Sequence, residues 1–309
     1  MINSRNEWDP LEEIVVGTAL HANWPTTDPV FASEAEKTTW KETPLPSGPV
    51  PQWIVDQTNE DLEQLVEVCV RYGAVVRRPQ PMNWVQRQGM YGYCPRDRLL
   101  IAGDTAVDVS MMYPCRNQEI GALDNILYEA RVLRMPKNKG LTLDAANICR
   151  LGDTWLFLES ASGNRAAYDW LCEQFPNIKI ELCNFYAGVH IDSTICPVRE
   201  GLVVLNADRI NDTNVPSVFK SWDKIWSPPM VDIGYHKVLR SSLWIGINLL
   251  SVDENTVIVD NSQKELIKEL NKYKTFIVEN IKEKLLEFDA KSKDLTYKKG
   301  IYILLILDK

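Results

Sequence analysis

The sequence predicts an α/β fold assembled from repeated strand-strand-helix-strand units, and three observations carry that reading. Apolar hairpins recur along the chain, each introduced by a short polar lead-in. The lead-ins at Asp97, Asp144, Asp192 and Ser242 follow one another at a nearly constant interval of about 50 residues, the mark of a radial or stacked repeat. Amphipathic helices follow several of the hairpins, and a further short strand comes after each of those helices.

Taken in order, Asn6-Glu7-Trp8-Asp9-Pro10 feeds the apolar run 11–16, which Gly17 ends. Residues 22–53 are rich in Pro, Thr and Trp without periodicity, as in a long surface excursion that covers a site. A helix is expected over 58–73. Thr58 and Asp61 have capping-box spacing there, and Leu62, Leu65, Val66 and Cys69 share one face. A buried strand should follow at 74–76. Cys94-Pro95-Arg96-Asp97 leads into a hairpin of 99–102 and 106–109, and Leu143-Asp144-Ala145-Ala146-Asn147 into one of 148–151 and 155–158. His190-Ile191-Asp192 introduces 194–198 and 202–205, and Ser241-Ser242-Leu243 introduces 244–250 and 256–259. Helices are expected at 163–175 and at 262–272, the second with Ser262 and Glu265 as a capping box; strands should follow at 178–180 and 275–278. If the units surround an axis, their polar lead-ins converge on one cavity.

The 309 residues are 45% hydrophobic and 25% charged, enough for a large core in a single domain spanning 1–309. A net charge of -8 argues against a nucleic-acid partner, which calls for clustered Lys and Arg. The Lys-rich stretch 264–299 is interleaved with acids and reads as a solvated face. Seven cysteines occur with no C-x-x-C spacing and no signal peptide, which points to a reducing, cytoplasmic compartment. No apolar run reaches the roughly 18 residues of a membrane span. Of three histidines, His21 and His236 lie outside the lead-ins, so no metal site is expected. No Walker or dinucleotide glycine motif is present, and no cofactor is expected.

Asp144, His190 and Asp192 occupy equivalent positions of successive repeats. A histidine beside carboxylates can carry protons near neutral pH. Each Asp alone would read as a turn cap; three residues in register favour a site. Asp97 and Asp192 offer paired carboxylates suited to a guanidinium, and Arg209 could clamp a substrate carboxylate, although alone it reads as a surface loop residue. Ser241 and Ser242 are weak signals singly.

These residues resemble a known family. Asn-Glu-Trp-Asp-Pro-Leu-Glu-Glu-Ile-Val-Val-Gly at the start, Cys-Pro-Arg-Asp at 94–97, Leu-Asp-Ala-Ala-Asn at 143–147, His-Ile-Asp at 190–192, Leu-Asn-Ala-Asp-Arg at 205–209 and Ser-Ser-Leu-Trp at 241–244 are similar to the arginine:glycine amidinotransferases and their relatives in cyanobacterial toxin pathways. The match runs over roughly residues 3–272. The resemblance implies a five-fold pseudosymmetric α/β propeller and suggests a homodimer. It implies that a cysteine thiolate attacks the guanidino carbon of arginine, ornithine leaves, and an amine acceptor collects the amidino group. By the same resemblance His190 is the general acid and base, Asp144 its carboxylate partner, and Asp97 and Asp192 hold the guanidino group. Arg209 meets the donor's carboxylate, and Ser241 or Ser242 completes the surface.

The sequence also departs from the family. The stretch between Cys115 and Asp144 looks shorter than in relatives. Residues 273–309 are atypical, with neither Cys nor His where the family carries its nucleophile, and the apolar run 300–308 could fill the last strand instead. Cys94 and Cys196 lie near site motifs but read as small buried residues. Two alternatives stand beside arginine-dependent transfer: a catalytically inactive arginine-binding or regulatory homologue, and a guanidino hydrolase.

Overall fold

The computed structural model describes residues 2–25, 27–36, 47–137, 139–232, 242–273 and 276–279. Within them the repeat is visible as four three-stranded sheets of one topology. The first strand of each runs antiparallel to the second, and the third runs parallel to it: Leu99–Ala102, Thr105–Asp108 and Arg131–Arg134; Ile148–Leu151, Thr154–Leu158 and Lys179–Cys183; Ile195–Arg199, Leu202–Leu205 and Asp223–Trp226; Leu250–Asp253, Thr256–Val259 and Phe276–Glu279. A further sheet pairs Glu13–Val15 with Val75–Arg77 in parallel, with the helix Gln52–Arg71 as the crossover between them.

Burial explains the sequence pattern. In the first three of these sheets the first two strands are buried along almost their whole length and largely apolar, whereas Arg131–Arg134 and Asp223–Trp226 are exposed at both ends. The hairpins turn at residues such as Gly152 (φ 75°) and Gly201 (φ 80°), a left-handed conformation that glycine adopts without steric penalty.

The core is divided among the spaces between neighbouring sheets. Leu100, Val107 and Met135 pack with Ile148, Trp155, Phe157 and Leu171. Leu156, Leu158 and Cys149 meet Ile195, Val203 and Leu205, and Val198, Val204 and Cys196 meet Val257, Val259 and Leu266. Val252 and Ile258 pack on Leu11, Ile14, Leu62 and Leu65, where the Leu11 amide also donates to the Val252 carbonyl at 2.8 Å. A smaller cluster of Leu99, Ile101 and Leu127 takes in Val15.

Several boundaries differ from the sequence reading. The first long helix begins at Gln52 rather than Thr58, so Thr58 and Asp61 are buried inside it and form no capping box. Ile54 and Val55 extend the apolar face one turn towards the N-terminus and account for the earlier start. Val75 lies on an edge strand and is half exposed, not buried. The excursion at 22–53 contains its own elements, a short ladder of Asn23–Trp24 with Gly48–Pro49 and the helix Pro29–Glu36. Residues 243–247 form a 3-10 helix instead of a strand, because the Ser242 hydroxyl accepts the Trp244 amide and starts a helical turn. Ser262 donates to Asp260 and does not cap the helix that follows, which runs Lys264–Asn271. Among the described residues no helix is long and apolar enough to cross a membrane.

Candidate active site

His190 stands at the centre of a cluster of carboxylates supplied by separate lead-ins. Its backbone is left-handed (φ 49°), and the turn is fixed by bonds on either side: the Ala161 amide donates to the Gly188 carbonyl and the Ile191 amide to the Ala146 carbonyl, both at 3.0 Å. The ring is thereby directed between two lead-ins. Nε2 is 3.2 Å from Asp144 Oδ2, and Nδ1 is 3.8 Å from Asp97 Oδ1. Burial alone would depress the imidazolium, but Asp97, the Asp144 hydrogen bond and Asp192 outweigh it and raise the His190 pKa to about 9. The ring is therefore protonated at neutral pH and donates to Asp144.

Each carboxylate has its own support. Asp144 Oδ1 accepts the Met112 amide at 2.9 Å, leaving Oδ2 for His190. Asp97 sits in the one-turn helix Pro95–Arg98, and its Oδ2 accepts Arg116 Nη1 at 2.9 Å. Asp192 is buried, which pushes its carboxyl up to about 6 against the opposing pull of His190 and Arg96. Asp97 Oδ1 and Asp192 Oδ2 are both buried and accept no hydrogen bond among the described residues. Beneath the cluster, Glu7 forms a fork with Arg150 (3.1 and 3.0 Å) and lies 3.6 Å from Arg96. Burial would raise Glu7, but the two guanidinium groups hold it at about 2.

The structure thus brings together Asp97, Asp144, His190 and Asp192, all expected from the sequence. Arg209 is more constrained than a loop clamp would be. Its Nη1 donates to the Ser193 carbonyl (3.1 Å), the Ser193 hydroxyl (2.9 Å) and the Thr194 hydroxyl (2.7 Å), and its Nη2 donates to the Ser242 hydroxyl at 2.9 Å. Its Cζ lies 3.5 Å from the centroid of the Tyr186 ring. Arg209 accordingly braces the His190 lead-in against the one at Ser242. Ser241 lies outside the described residues.

All seven cysteines are described, and six are buried, with Cys172 half-buried. Burial pushes the thiol of Cys69 up to about 11 and those of Cys183 and Cys196 up to about 12; Cys94, Cys115 and Cys149 are raised as well, Cys94 further so by Asp97. Among the described residues no group of three or more His, Cys, Asp and Glu side chains is arranged to hold a metal ion.

No protein-family model matches the chain. Inosamine-phosphate amidinotransferase 1 of Streptomyces glaucescens is 38% identical to it over 310 residues, covering 88% of this chain and 89% of that protein. The chain belongs to the amidinotransferase family. The L-arginine:L-lysine amidinotransferase of Pseudomonas savastanoi pv. phaseolicola is 27% identical over 312 residues, covering 86% and 84% of the two chains. The solved structure of the inosamine-phosphate amidinotransferase StrB1 from Streptomyces griseus superposes with a TM-score of 0.79 at 32% identity, over 90% of each chain.

Sequence reasoning did not find every residue around this cluster. Arg116 and Glu119, which stand behind Asp97, belong to a 3-10 segment with no periodic signature. Tyr186 heads the same stretch as His190, but nothing in its spacing indicates that its ring covers Arg209. Only the buried charges of Arg96 and Glu7, both inside the quoted motifs, carried a readable hint.

Proposed function

We propose that this amidinotransferase-like protein binds arginine as its amidino donor, with the guanidino group against Asp97 and Asp192. One observation carries the reading: Asp97 Oδ1 and Asp192 Oδ2 are buried carboxylate oxygens with no donor among the described residues. A guanidinium brings five N–H donors and a positive charge to such oxygens, and a buried anion without a donor is costly. A relative named for L-arginine and L-lysine supports arginine as donor. Arg209, with its Nε–H and remaining Nη2–H, is the candidate for the donor's carboxylate, and Ser242 completes that side.

Entry of a cation among these carboxylates disfavours the imidazolium of His190, so binding is expected to release part of a proton. The neutral ring is then ready for acid-base work, with Asp144 as its partner. In the transfer reaction the neutral ring takes the proton of a cysteine thiol as the sulfur forms a C–S bond to the guanidino carbon, and hands that proton to ornithine as the C–N bond breaks and ornithine leaves. The acceptor amine then gives a proton back as it takes the amidino group and the thiolate departs. The acceptor is a small amine, selected by loops within 22–53 and 211–240. Residues 233–240 of the second loop and residues 26 and 37–46 of the first lie outside the described residues.

A second reading, an inactive arginine-binding or regulatory homologue, is favoured by the cysteines. The six with resolved shifts are held as thiols, and none occurs after Cys196. Guanidino hydrolysis needs the same thiolate. Residues from 280 onward, where the resemblance places the nucleophile, contain no cysteine and lie outside the described residues.

We also read the chain as one domain of five units around a pseudo-five-fold axis. The succession of cores supports this, since each sheet packs on the next and the last packs on the first. The cysteine usage supports a cytoplasmic compartment. Incubation with guanidino-labelled arginine followed by intact-protein mass spectrometry tests the function. A labelled cysteine adduct supports transfer; binding heat without an adduct supports the second reading. Absence of both heat and thermal stabilisation overturns arginine binding altogether.

A further inference from the structure

One segment, residues 111–119, holds both carboxylates that flank the His190 ring. The Met112 amide fixes Asp144 Oδ1 at 2.9 Å, and four residues later Arg116 fixes Asp97 Oδ2 at the same distance. All three nitrogens of Arg116 are engaged. Nε and Nη2 form a fork with Glu119 (2.8 and 3.0 Å), and Nη1 reaches Asp97. The plane of the guanidinium covers the Tyr91 ring at 4.7 Å, and Tyr91 is itself stacked on Tyr93. Arg116, Glu119 and Asp97 are each at most 4% exposed. The segment is tied down from outside too, since Asp28, which caps the helix Pro29–Glu36, accepts the Cys115 amide at 2.8 Å.

We propose that Arg116 is a positioning residue: braced by Glu119, it fixes the Asp97 carboxylate so that Oδ1 is turned, without a hydrogen bond, towards the side where the guanidino group binds. This rests on the arginine reading above. The fork geometry is what makes the role specific. A guanidinium can engage Glu119 with two parallel bonds and still present a third donor to Asp97; an ammonium is a point donor that cannot span both.

Calorimetric titration with arginine, and with its uncharged ureido isostere citrulline by displacement, tests the role in the full chain. The variants are Arg116→Lys, Glu119→Ala and Glu119→Gln, with thermal unfolding as a control. A misplaced Asp97 should cost the charged guanidino group more than the neutral ureido group. Arg116→Lys is therefore expected to weaken arginine at least about tenfold and to lower the arginine-to-citrulline affinity ratio by a similar factor. Glu119→Gln, which keeps an acceptor for Arg116, should recover most of the loss seen in Glu119→Ala. Equal losses for the two ligands, or an Arg116→Lys change within about twofold, would overturn the positioning role while leaving the arginine reading intact. Absence of arginine binding by the unsubstituted chain would overturn both. Should Arg116→Lys fail to fold, Glu119→Ala, which removes the acceptor of the fork, decides the matter by the same ratio, and an unchanged ratio there refutes the role.

Discussion

Replacing Asp144 by asparagine should separate the protonation of His190 from its position. In the intact chain the His190 pKa is about 9 against an ordinary 6.5. Since one pKa unit corresponds to about 1.4 kcal/mol, holding the imidazolium is linked to roughly 3 kcal/mol of stability. The folded-state value is the higher one. That stabilisation is therefore fully present below pH 6.5 and is lost as the pH rises through about 9. Burial opposes the shift, and Asp97, the Asp144 hydrogen bond and Asp192 produce it. The Asp144→Asn side chain keeps the shape and the contact with the Met112 amide but removes the charge, so the His190 pKa should fall by about one unit or more. Only three histidines are present, so ring-proton NMR resolves His190 from His21 and His236 with little assignment effort. Denaturant unfolding should show the variant less stable than the parent below pH 6.5, with the two converging in alkaline solution. A His190 that still titrates near 9 in the variant, or a stability gap independent of pH, would refute the pairing.

Three further outcomes are expected. Glu7→Gln should lower stability at neutral pH by about 3 kcal/mol, since it removes the partner of buried Arg150 and Arg96. Glu7 is held at about 2, so its stabilisation is present above pH 4.5 and is lost as the pH falls towards 2; the gap in urea unfolding should close on acidification, and a constant gap would refute the ion-pair account. Gly188→Ala places a methyl group 2.1 Å from the Tyr186 ring, which must move off Arg209, and arginine affinity should fall about fivefold in calorimetry without loss of circular dichroism. Arg209→Lys forfeits the brace between Ser193, Thr194 and Ser242 and should cost about 2 kcal/mol in denaturant unfolding; a change below about 0.5 kcal/mol would refute that brace.

The parts of the site that were legible in the sequence are those fixed by repetition. Asp97, Asp144 and Asp192 each precede a buried hairpin, and a common interval places them alike in successive units. His190 was legible because it shares its lead-in with Asp192. Arg116 and Glu119 were not, because they act through a bend that returns a nonperiodic segment to Asp97, 19 residues away in sequence by the spacing of the bond. Arg209 was legible as a residue but not as a brace, since its hydroxyl partners lie on two other segments. The helix start was misplaced for a local reason: Thr58 and Asp61 have the spacing of a cap, but Ile54 and Val55 already belong to the buried face. At 243–247, apolar residues that suit a strand are turned into a helical arc by a single serine hydroxyl.

The left-handed backbone at His190 bears on how its ring should be deleted. For an L-residue other than glycine this conformation costs roughly 1–2 kcal/mol, and alanine offers nothing in return. An alanine variant would therefore mix two losses, the imidazole and the geometry of the turn that carries Ile191 and Asp192. Asparagine enters the left-handed region more readily than most side chains. His190→Asn is the cleaner knock-out, and its difference from His190→Ala measures how far the backbone of the turn, apart from any proton, sets the spacing of the carboxylates around it.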